Sequence, residues 1–545
     1  VGARCLVSMK QVGLNVASDP FMAASTTGVN AGLVVICADD PGIHSSQSEQ
    51  DNRHYAKLAK VPMLEPSDSQ EAYDLMAYAF EMSERFDTPV LVRTTTRISH
   101  SKSVVEAGRS RVEPTGKPAF HHDVEKYVML PVNARTRHPL IEERLVKLAA
   151  FAETFPLNRV VPGDRSLGIV SSGVAYKYAQ EVFPDASFLK LSMTYPLPRD
   201  LIGSFAAGVE RLIVIEELDP FLQESIQAMG IEVAGKEYFP RVGELNLDLV
   251  EEGAYLAGLR KGPRPKHVAA APVPGRPPTL CPGCPHAGAF FVLSSLDGRS
   301  SGQGGKKKGS AKKGWNSVIT GDIGCYTLGA YPPLQALDTC ACMGAGIGQA
   351  LGMEKAGLGG RIVAVIGDST FLHSGITGLV NAVYNQGRIT VIILDNGSTA
   401  MTGHQEHPGT GITAQGGETT AVPLEGLVRG VGVKDVSVID AFDVKALRAG
   451  IRHALDSSEL SVVIVRGRCP MQVKGHQSEP RAVDQERCND CGVCLQIGCL
   501  GIGKEGDSVR IDPSLCAGDL CDVCGQLCPR RAIGPVSVVT AGKPE

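Results

Sequence analysis

The chain carries the run Gly367-Asp-Ser-Thr-Phe-Leu-His-Ser-Gly-Ile-Thr-Gly-Leu-Val-Asn-Ala-Val-Tyr-Asn-Gln-Gly-Arg-Ile-Thr-Val-Ile-Ile-Leu-Asp-Asn396. Immediately before it, Arg361 to Ile366 is a short apolar, β-branched run, which predicts a buried strand. Within it, Ile376, Leu379, Val380, Val383 and Tyr384 recur at helical spacing. It closes on Thr390 to Leu394, a second buried strand. The unit is therefore strand–loop–helix–strand. Its crossover is expected to be right-handed, so the two strands run parallel. Their carboxyl ends then open on one edge of the sheet, where open α/β sheets bind ligands.

Asp368 and Asn396 follow those two strand ends. A carboxylate and an amide oxygen, completed by phosphate oxygens, suit Mg²⁺, which takes hard oxygen ligands and few of them from protein. The alternative is local: Asp368 caps the helix and Asn396 turns the chain. The stretch resembles the thiamine-diphosphate motif, with Ser369 in place of its third-position Gly and Asp395-Asn396 in place of Asn-Asn. That resemblance implies that Gly367, Asp368, Ser369, Asn396 and Ser398 contact the cofactor. It also implies that Asp368, Asn396 and the backbone carbonyl at Ser398 hold Mg²⁺.

The 545 residues allow several domains; 43% are hydrophobic and 21% charged, a globular composition. A formal net charge of −4 and a pI near 6.4 give no global basic field for nucleic acid. No run approaches the roughly 18 apolar residues of a membrane span, and no signal peptide is visible. A cytoplasmic location is the expectation. The chain starts Val1-Gly-Ala-Arg4 without Met, in what reads as mid-domain sequence, so an N-terminal part is expected upstream.

Residues 1–155 read as an α/β domain. Strands are expected at Gly32–Cys37 and Thr88–Val92, with a helix over Ser67–Phe86 capped by Ser67 or Asp68. The polar loop Asp39–Arg53 follows a strand end and contains His44 and Gln47, candidate catalytic residues; a solvated loop is the alternative. Cys5 and Cys37 are expected as buried small hydrophobes. Residues 165–262 read as a second α/β domain, with strands at Leu167–Val170, Ser187–Leu191 and Arg211–Ile215. Glu216 and Glu217 are read there as solvated strand-end carboxylates. The proline-rich stretch 263–280 (Pro263, Pro265, Pro272, Pro274, Pro277 and Pro278) reads as an extended linker.

Residues 281–476 contain the opening motif and begin Cys281-Pro-Gly-Cys-Pro-His286. Lys306, Lys307, Lys308, Lys312 and Lys313 lie in a Gly/Ser-rich stretch read as a surface insertion. Gly344, Gly346 and Gly348 open a helix, so their amides are candidates for phosphate contact; close helix packing is the alternative. His404 and His407 lie in a Gly/Pro-rich loop after the motif, as acid/base candidates or positioning groups.

The tail, 477–545, holds eight of the sixteen cysteines. Clustered Cys in a large chain without a secretory signal point to metal. The two sets, Cys488, Cys491, Cys494, Cys499 and Cys516, Cys521, Cys524, Cys528-Pro529, are close to the bacterial two-cluster ferredoxin run. They depart from it by one extra residue before Cys499 and two before Cys521. In that run the fourth Cys of each set ligates the other cluster. Carried over, Cys488, Cys491, Cys494 and Cys528 hold one [4Fe–4S], and Cys499, Cys516, Cys521 and Cys524 the other. Zinc is the alternative, and the trailing Cys-Pro favours iron–sulfur.

Taken in order, Met9–Asn15, Ala38–Gly42 with His44–Gln47, Leu64–Asp68, Cys281-Pro-Gly-Cys284, the diphosphate motif and the tail resemble the large (alpha) subunits of the indolepyruvate ferredoxin oxidoreductases, within the 2-oxoacid:ferredoxin oxidoreductases. The resemblance implies an α/β fold: doubly wound thiamine-diphosphate-binding domains, a transketolase-C-terminal-like domain and a small two-cluster ferredoxin domain. It implies oxidative decarboxylation of an arylpyruvate with CoA, electrons leaving through the clusters to ferredoxin, and a smaller (beta) partner subunit in a hetero-oligomer. His286 is expected near the cofactor. The Glu that activates the aminopyrimidine in this family has no counterpart here and is expected upstream of Val1. Cys281, Cys284, Cys325 and Cys469 match the places at which related enzymes hold a cluster close to thiamine. A third [4Fe–4S] is therefore a hypothesis, with Cys340 and Cys342 as competing ligands. Two other readings stay open: an electron-transfer subunit with a vestigial thiamine fold, and a non-oxidative 2-oxo acid decarboxylase.

Overall fold

The computed structural model describes residues 2–108, 123–260, 278–299, 317–473 and 478–540. It divides into two compact units, Val1–Pro272 and Val273–Glu545. The linker prolines Pro263, Pro265, Pro272, Pro274 and Pro277 and the five lysines between Lys306 and Lys313 lie outside the described residues. Among the described residues no helix is long and apolar enough to cross a membrane.

Among its described residues the first unit has nine strands: β1 (Cys5–Lys10), β2 (Leu33–Ala38), β3 (Met63–Leu64), β4 (Val90–Thr94), β5 (Arg159–Val161), β6 (Asp164–Ser172), β7 (Ala186–Leu191), β8 (Met193–Tyr195) and β9 (Leu212–Ile215). One sheet runs β1-β2-β4-β3-β8, parallel except for β8, which pairs antiparallel with β3. A second runs β5-β7-β6-β9, with β5 antiparallel. The helix Ser69–Phe86 starts where expected. Asp68 is its N-cap and accepts the Glu71 N–H, satisfying a first-turn donor. Its stripe of Leu75, Ala79, Met82 and Phe86 packs on Val34, Val90 and Val92.

Two expectations fail here. Cys37 is buried, but Cys5 is exposed, because β1 is an edge strand whose outer face is uncovered among the described residues. Glu216 and Glu217 are buried rather than solvated. Arg53, at the end of the Asp39–Arg53 loop, folds over the end of β9 and pairs with Glu216 at 2.5 Å, while its guanidinium also donates to the Glu217 carbonyl. A buried carboxylate persists only when paired in this way.

The second unit is built on one six-stranded parallel sheet. Its strands are β10 (Val318–Gly321), β11 (Thr339–Cys340), β12 (Ile362–Gly367), β13 (Thr390–Asp395), β14 (Asp435–Asp440) and β15 (Ser461–Arg466), in the order β11-β10-β12-β13-β15-β14. The central strands are buried on both faces, as parallel sheets are. Val363, Val365, Ile392, Leu394, Val463 and Val465 join the core under the helix Pro285–Asp297. The alternate residues Ile362, Ala364, Ile366, Val391, Ile393, Val462 and Ile464 join the core on the opposite face.

The crossover from β12 to β13 is less regular than its spacing predicts. A turn of helix at Asp368–Thr370 passes through a π-helical turn, Phe371–Gly375, into the helix Ile376–Tyr384. Leu379 is buried, yet Val380 is 48% and Tyr384 84% exposed, so one helical stripe faces outward. The tail adds two antiparallel pairs: β16 (Arg481–Val483) with β19 (Ile533–Pro535), and β17 (Ile502–Glu505) with β18 (Ser508–Ile511).

Candidate active site

Strands β12 and β13 are adjacent and parallel, with Gly367 opposite Leu394, so Asp368 and Asn396 emerge side by side at the carboxyl edge. Backbone amides orient the side chains. Asp368 Oδ1 accepts the Ser369 N–H at 2.7 Å and Oδ2 the Gly397 N–H at 2.8 Å. Asn396 Oδ1 accepts the Ser398 N–H at 3.1 Å. The Ser398 hydroxyl is buried without a partner. These groups open into a cavity of about 110 Å³ lined by His286, Tyr326, Asp368, Ser369, Asn396 and Ser398 among others. A buried carboxylate, an amide oxygen with a lone pair in hand and an unpartnered hydroxyl fit a Mg²⁺–diphosphate group.

Gly367 has a steric reason to be glycine: a Cβ there would meet the Tyr326 ring at 2.5 Å. Tyr326 carried no sequence signal. Its hydroxyl donates to the Ile323 carbonyl at 2.9 Å and lies 3.0 Å from Thr370 Oγ1, which ties the loop after β10 to the Asp368 turn. His286 sits one residue after the Pro that starts the helix Pro285–Asp297. It is 2% exposed, neither ring nitrogen has a partner, and burial pushes its pKa down to about 4 despite Asp368. The ring is therefore neutral, edge-on to Tyr326. Asp395, beside Asn396, has its carboxyl pushed up by burial against the nearby Asp368, although Arg466 pairs with it at 2.7 Å.

The glycine expectation needs correcting. The Gly344 N–H lies 2.8 Å from both carboxylate oxygens of Asp322, and the Gly346 N–H 3.3 Å from one of them. Gly348 is not among the residues lining the cavity. A buried carboxylate at this helix N-terminus already satisfies the donors that phosphate would use. Gly-Asp directly after a strand, here Gly321-Asp322, was the available sign. His404 is half-buried in a left-handed conformation (φ +62°). It lines a separate open groove of about 630 Å³ that also touches Asn396, Arg468 and Met471.

Twelve of the sixteen thiols fall into three groups of four. Burial pushes the Cys284 thiol well up, and the nearby Cys281, Cys325 and Cys469 thiols add to the effect. Cys325 responds in turn to Cys281 and Cys469. Cys340 instead faces Cys342 and donates to the Asp322 carbonyl. In the tail, Cys488, Cys491, Cys494 and Cys528 line one small, partly enclosed cavity. Cys524 is raised by burial and then by Cys521, Cys516 and Cys499. Each group gathers sulfurs, most of them at least half-buried, that repel one another as thiolates, an arrangement stabilised by a bound cationic centre.

Residues 322–465 match the family described as thiamine pyrophosphate enzyme, C-terminal TPP binding domain. The chain is 42% identical over 550 residues to the indolepyruvate oxidoreductase subunit IorA of Methanothermobacter marburgensis, covering 98% of this chain and 86% of that one. It is 38% identical over 553 residues to the IorA of Archaeoglobus fulgidus, with the same coverage. The chain belongs to the indolepyruvate oxidoreductase subunit IorA family. It is a chain of a thiamine-diphosphate-dependent 2-oxoacid oxidoreductase. Among solved structures, the 2-oxoglutarate:ferredoxin oxidoreductase from Magnetococcus marinus is 20% identical over 37% of this chain and 67% of that one, with a TM-score of 0.31.

On the first unit of this family member, His44 and Gln47 are both exposed. His44 Nε2 lies 3.3 Å from Glu244 Oε2. Their loop is held by Asp40, whose carboxylate accepts from the backbone N–H groups of His44 and Ser45 and from the hydroxyls of Ser46 and Thr96. Behind it, buried Arg93 pairs with Asp39 at 2.5 Å and with Glu65 at 2.7 Å. Every residue lining the cavity around Asp368 lies between His286 and Thr402, so neither His44 nor Gln47 is among them.

Proposed function

We propose that this chain, with a smaller partner subunit, catalyses oxidative decarboxylation of an arylpyruvate, most simply indolepyruvate. CoA accepts the acyl group, aryl-acetyl-CoA and CO2 are the products, and electrons pass through [4Fe–4S] clusters to ferredoxin in the cytoplasm. The observation that carries this reading is the Asp368–Asn396 pair at two adjacent strand ends with a four-thiol group beside it. Thiamine diphosphate, when bound, supplies the electron sink for loss of CO2 from a 2-oxo acid. Asp368, Asn396 and the Ser398 carbonyl would hold Mg²⁺, and His286 would give the cavity a neutral, dry wall.

Cys281, Cys284, Cys325 and Cys469 would hold one cluster. Cys499, Cys516, Cys521 and Cys524 would hold a second, and Cys488, Cys491, Cys494 and Cys528 a third, supplying one-electron transfer. Gly283, between the first two thiols of the first group, supports the continuity of this series: a Cβ there would meet Ala517 Cβ at 2.4 Å and Cys521 Cβ at 3.8 Å.

The test is anaerobic turnover with a panel of 2-oxo acids, CoA and a viologen acceptor, partner subunit present. Arylpyruvate- and CoA-dependent viologen reduction is expected. Aldehyde release without reduction would assign a non-oxidative decarboxylase, and no thiamine-dependent reaction would assign an electron-transfer subunit. Iron analysis separates the cluster counts: about twelve iron atoms per chain for three clusters, about eight for the tail alone.

A further inference from the structure

Asp368 has a neighbour that does not line the cavity. His407 lies in the loop after β13, with its side chain only 5% exposed. Three contacts pin it. Its backbone carbonyl accepts both the N–H and the hydroxyl of Thr410, each at 2.9 Å. Its Nδ1 accepts the Gly409 N–H at 3.1 Å. Gly409 permits that approach: a Cβ there would meet the imidazole Cε1 at 2.9 Å.

With Nδ1 engaged as an acceptor, the ring N–H belongs on Nε2. Nε2 lies 3.2 Å from Asp368 Oδ2, the oxygen that also receives the Gly397 N–H. The contact is close but not in hydrogen-bond geometry, so the buried Nε2 stands against the carboxylate with no hydrogen-bond partner. A buried N–H left without an acceptor forfeits the hydrogen bond it would make to water. A purely structural histidine in an irregular loop has no reason to place one against a carboxylate. Groups behind a metal's ligands fix ligand orientation, and losing one typically weakens metal binding about 10–100-fold.

We propose that His407 is a positioning residue for the cation site: its Nε2–H holds the Asp368 carboxylate in the orientation that presents its free lone pairs to the divalent ion, and its Nδ1–Gly409 contact fixes the tautomer that does so. The inference rests on the reading of Asp368 as a cation ligand. It assigns the two ring nitrogens different tasks, which makes them separable.

The experiment titrates Mn²⁺ into the anaerobic holoenzyme with thiamine diphosphate, reading free Mn²⁺ by its EPR signal. His407→Gln carries an amide N–H toward the Nε2 position, and His407→Asn carries one only toward Nδ1. The expected result is a 10–100-fold loss of Mn²⁺ affinity in H407N and a change within about threefold in H407Q, with the melting temperatures of the two variants alike. Equal losses in both, or no loss in H407N, overturn the proposal. Asp368→Asn in the same titration separates the two layers. If D368N abolishes binding while H407N does not weaken it, the positioning role alone falls. If D368N binds Mn²⁺ normally, the ligand reading falls and takes the inference with it.

Discussion

The backbone N–H of Cys469 donates to the carbonyl of Asn396 at 3.1 Å. It continues the β13–β15 pairing, in which Asp395 stands opposite Arg466 and the Gly467 N–H donates to the Asp395 carbonyl at 2.9 Å. A residue of the proposed cation clamp and a member of the four-thiol group are thus fixed by one ladder, although 73 positions separate them in the chain.

Replacing Cys469 by Ser tests that junction. Iron content is expected to fall by about four atoms per chain while the tail clusters keep their EPR signals. Thiamine diphosphate is expected to be retained, because the backbone bond to Asn396 survives the change. Unchanged iron would show that Cys469 holds no cluster.

Gly283 has φ +73° and no room for a Cβ beside Ala517. Gly283→Val is therefore expected to force the tail module away from the Cys281–Cys284 loop, at an overpacking cost of about 1–3 kcal/mol. Reduction of the tail clusters by substrate should slow in stopped-flow absorbance, because the tail sulfurs are pushed away from the Cys281–Cys284 loop. Direct reduction by dithionite should not slow. Equal slowing of both would point to cluster loss instead.

Glu217 is buried, which pushes its carboxyl up to about 7 from the ordinary 4.5, with Arg93 only partly opposing. The native state then binds this proton more tightly than the unfolded chain. Stability from this group is complete below about pH 4.5 and is lost as pH rises through 7, by roughly 3 kcal/mol in total. Glu217→Gln keeps an acceptor for the Leu245 N–H. The variant is expected to melt higher than the parent at pH 8, and the gap should shrink as pH falls to 5. A gap independent of pH would rule this account out.

Lys190 is fully buried and pairs with Glu71, with Ser192 Oγ bridging them. Lys190→Met leaves the Glu71 carboxylate buried without its cation, so unfolding in denaturant should show a loss of about 3–5 kcal/mol. Adding Glu71→Leu should recover part of that loss, because no uncompensated charge remains. A double variant worse than the sum of the singles would refute the charge argument.

Much of the candidate site's geometry was readable without coordinates. Asp368 and Asn396 stand out because each directly follows a β-branched run, and a right-handed crossover leaves one arrangement for two such strands. The tail cysteines declare their grouping through short, fixed spacings. The misreadings share a cause. Gly344 and Gly346 look like phosphate donors in isolation, but Asp322, just after β10 and beside the β11 strand that leads into the glycine turn, takes their amides. Glu216 and Glu217 look solvated at a strand end until Arg53, 163 positions away from Glu216, closes over them.

The sequence by itself determined the strand–loop–helix–strand unit of residues 361–396, its oxygen pair and the cysteine spacing, because these depend on periodicity and reach over a few tens of residues. Only the tertiary structure decided that Cys469 bonds to Asn396, that His407 backs Asp368, that Asp322 fills the glycine turn, and that Cys281, Cys284, Cys325 and Cys469 meet. Those contacts depend on which distant strands lie side by side. Strand order is set by the burial of both sheet faces at once, a property of the whole domain that no local pattern encodes.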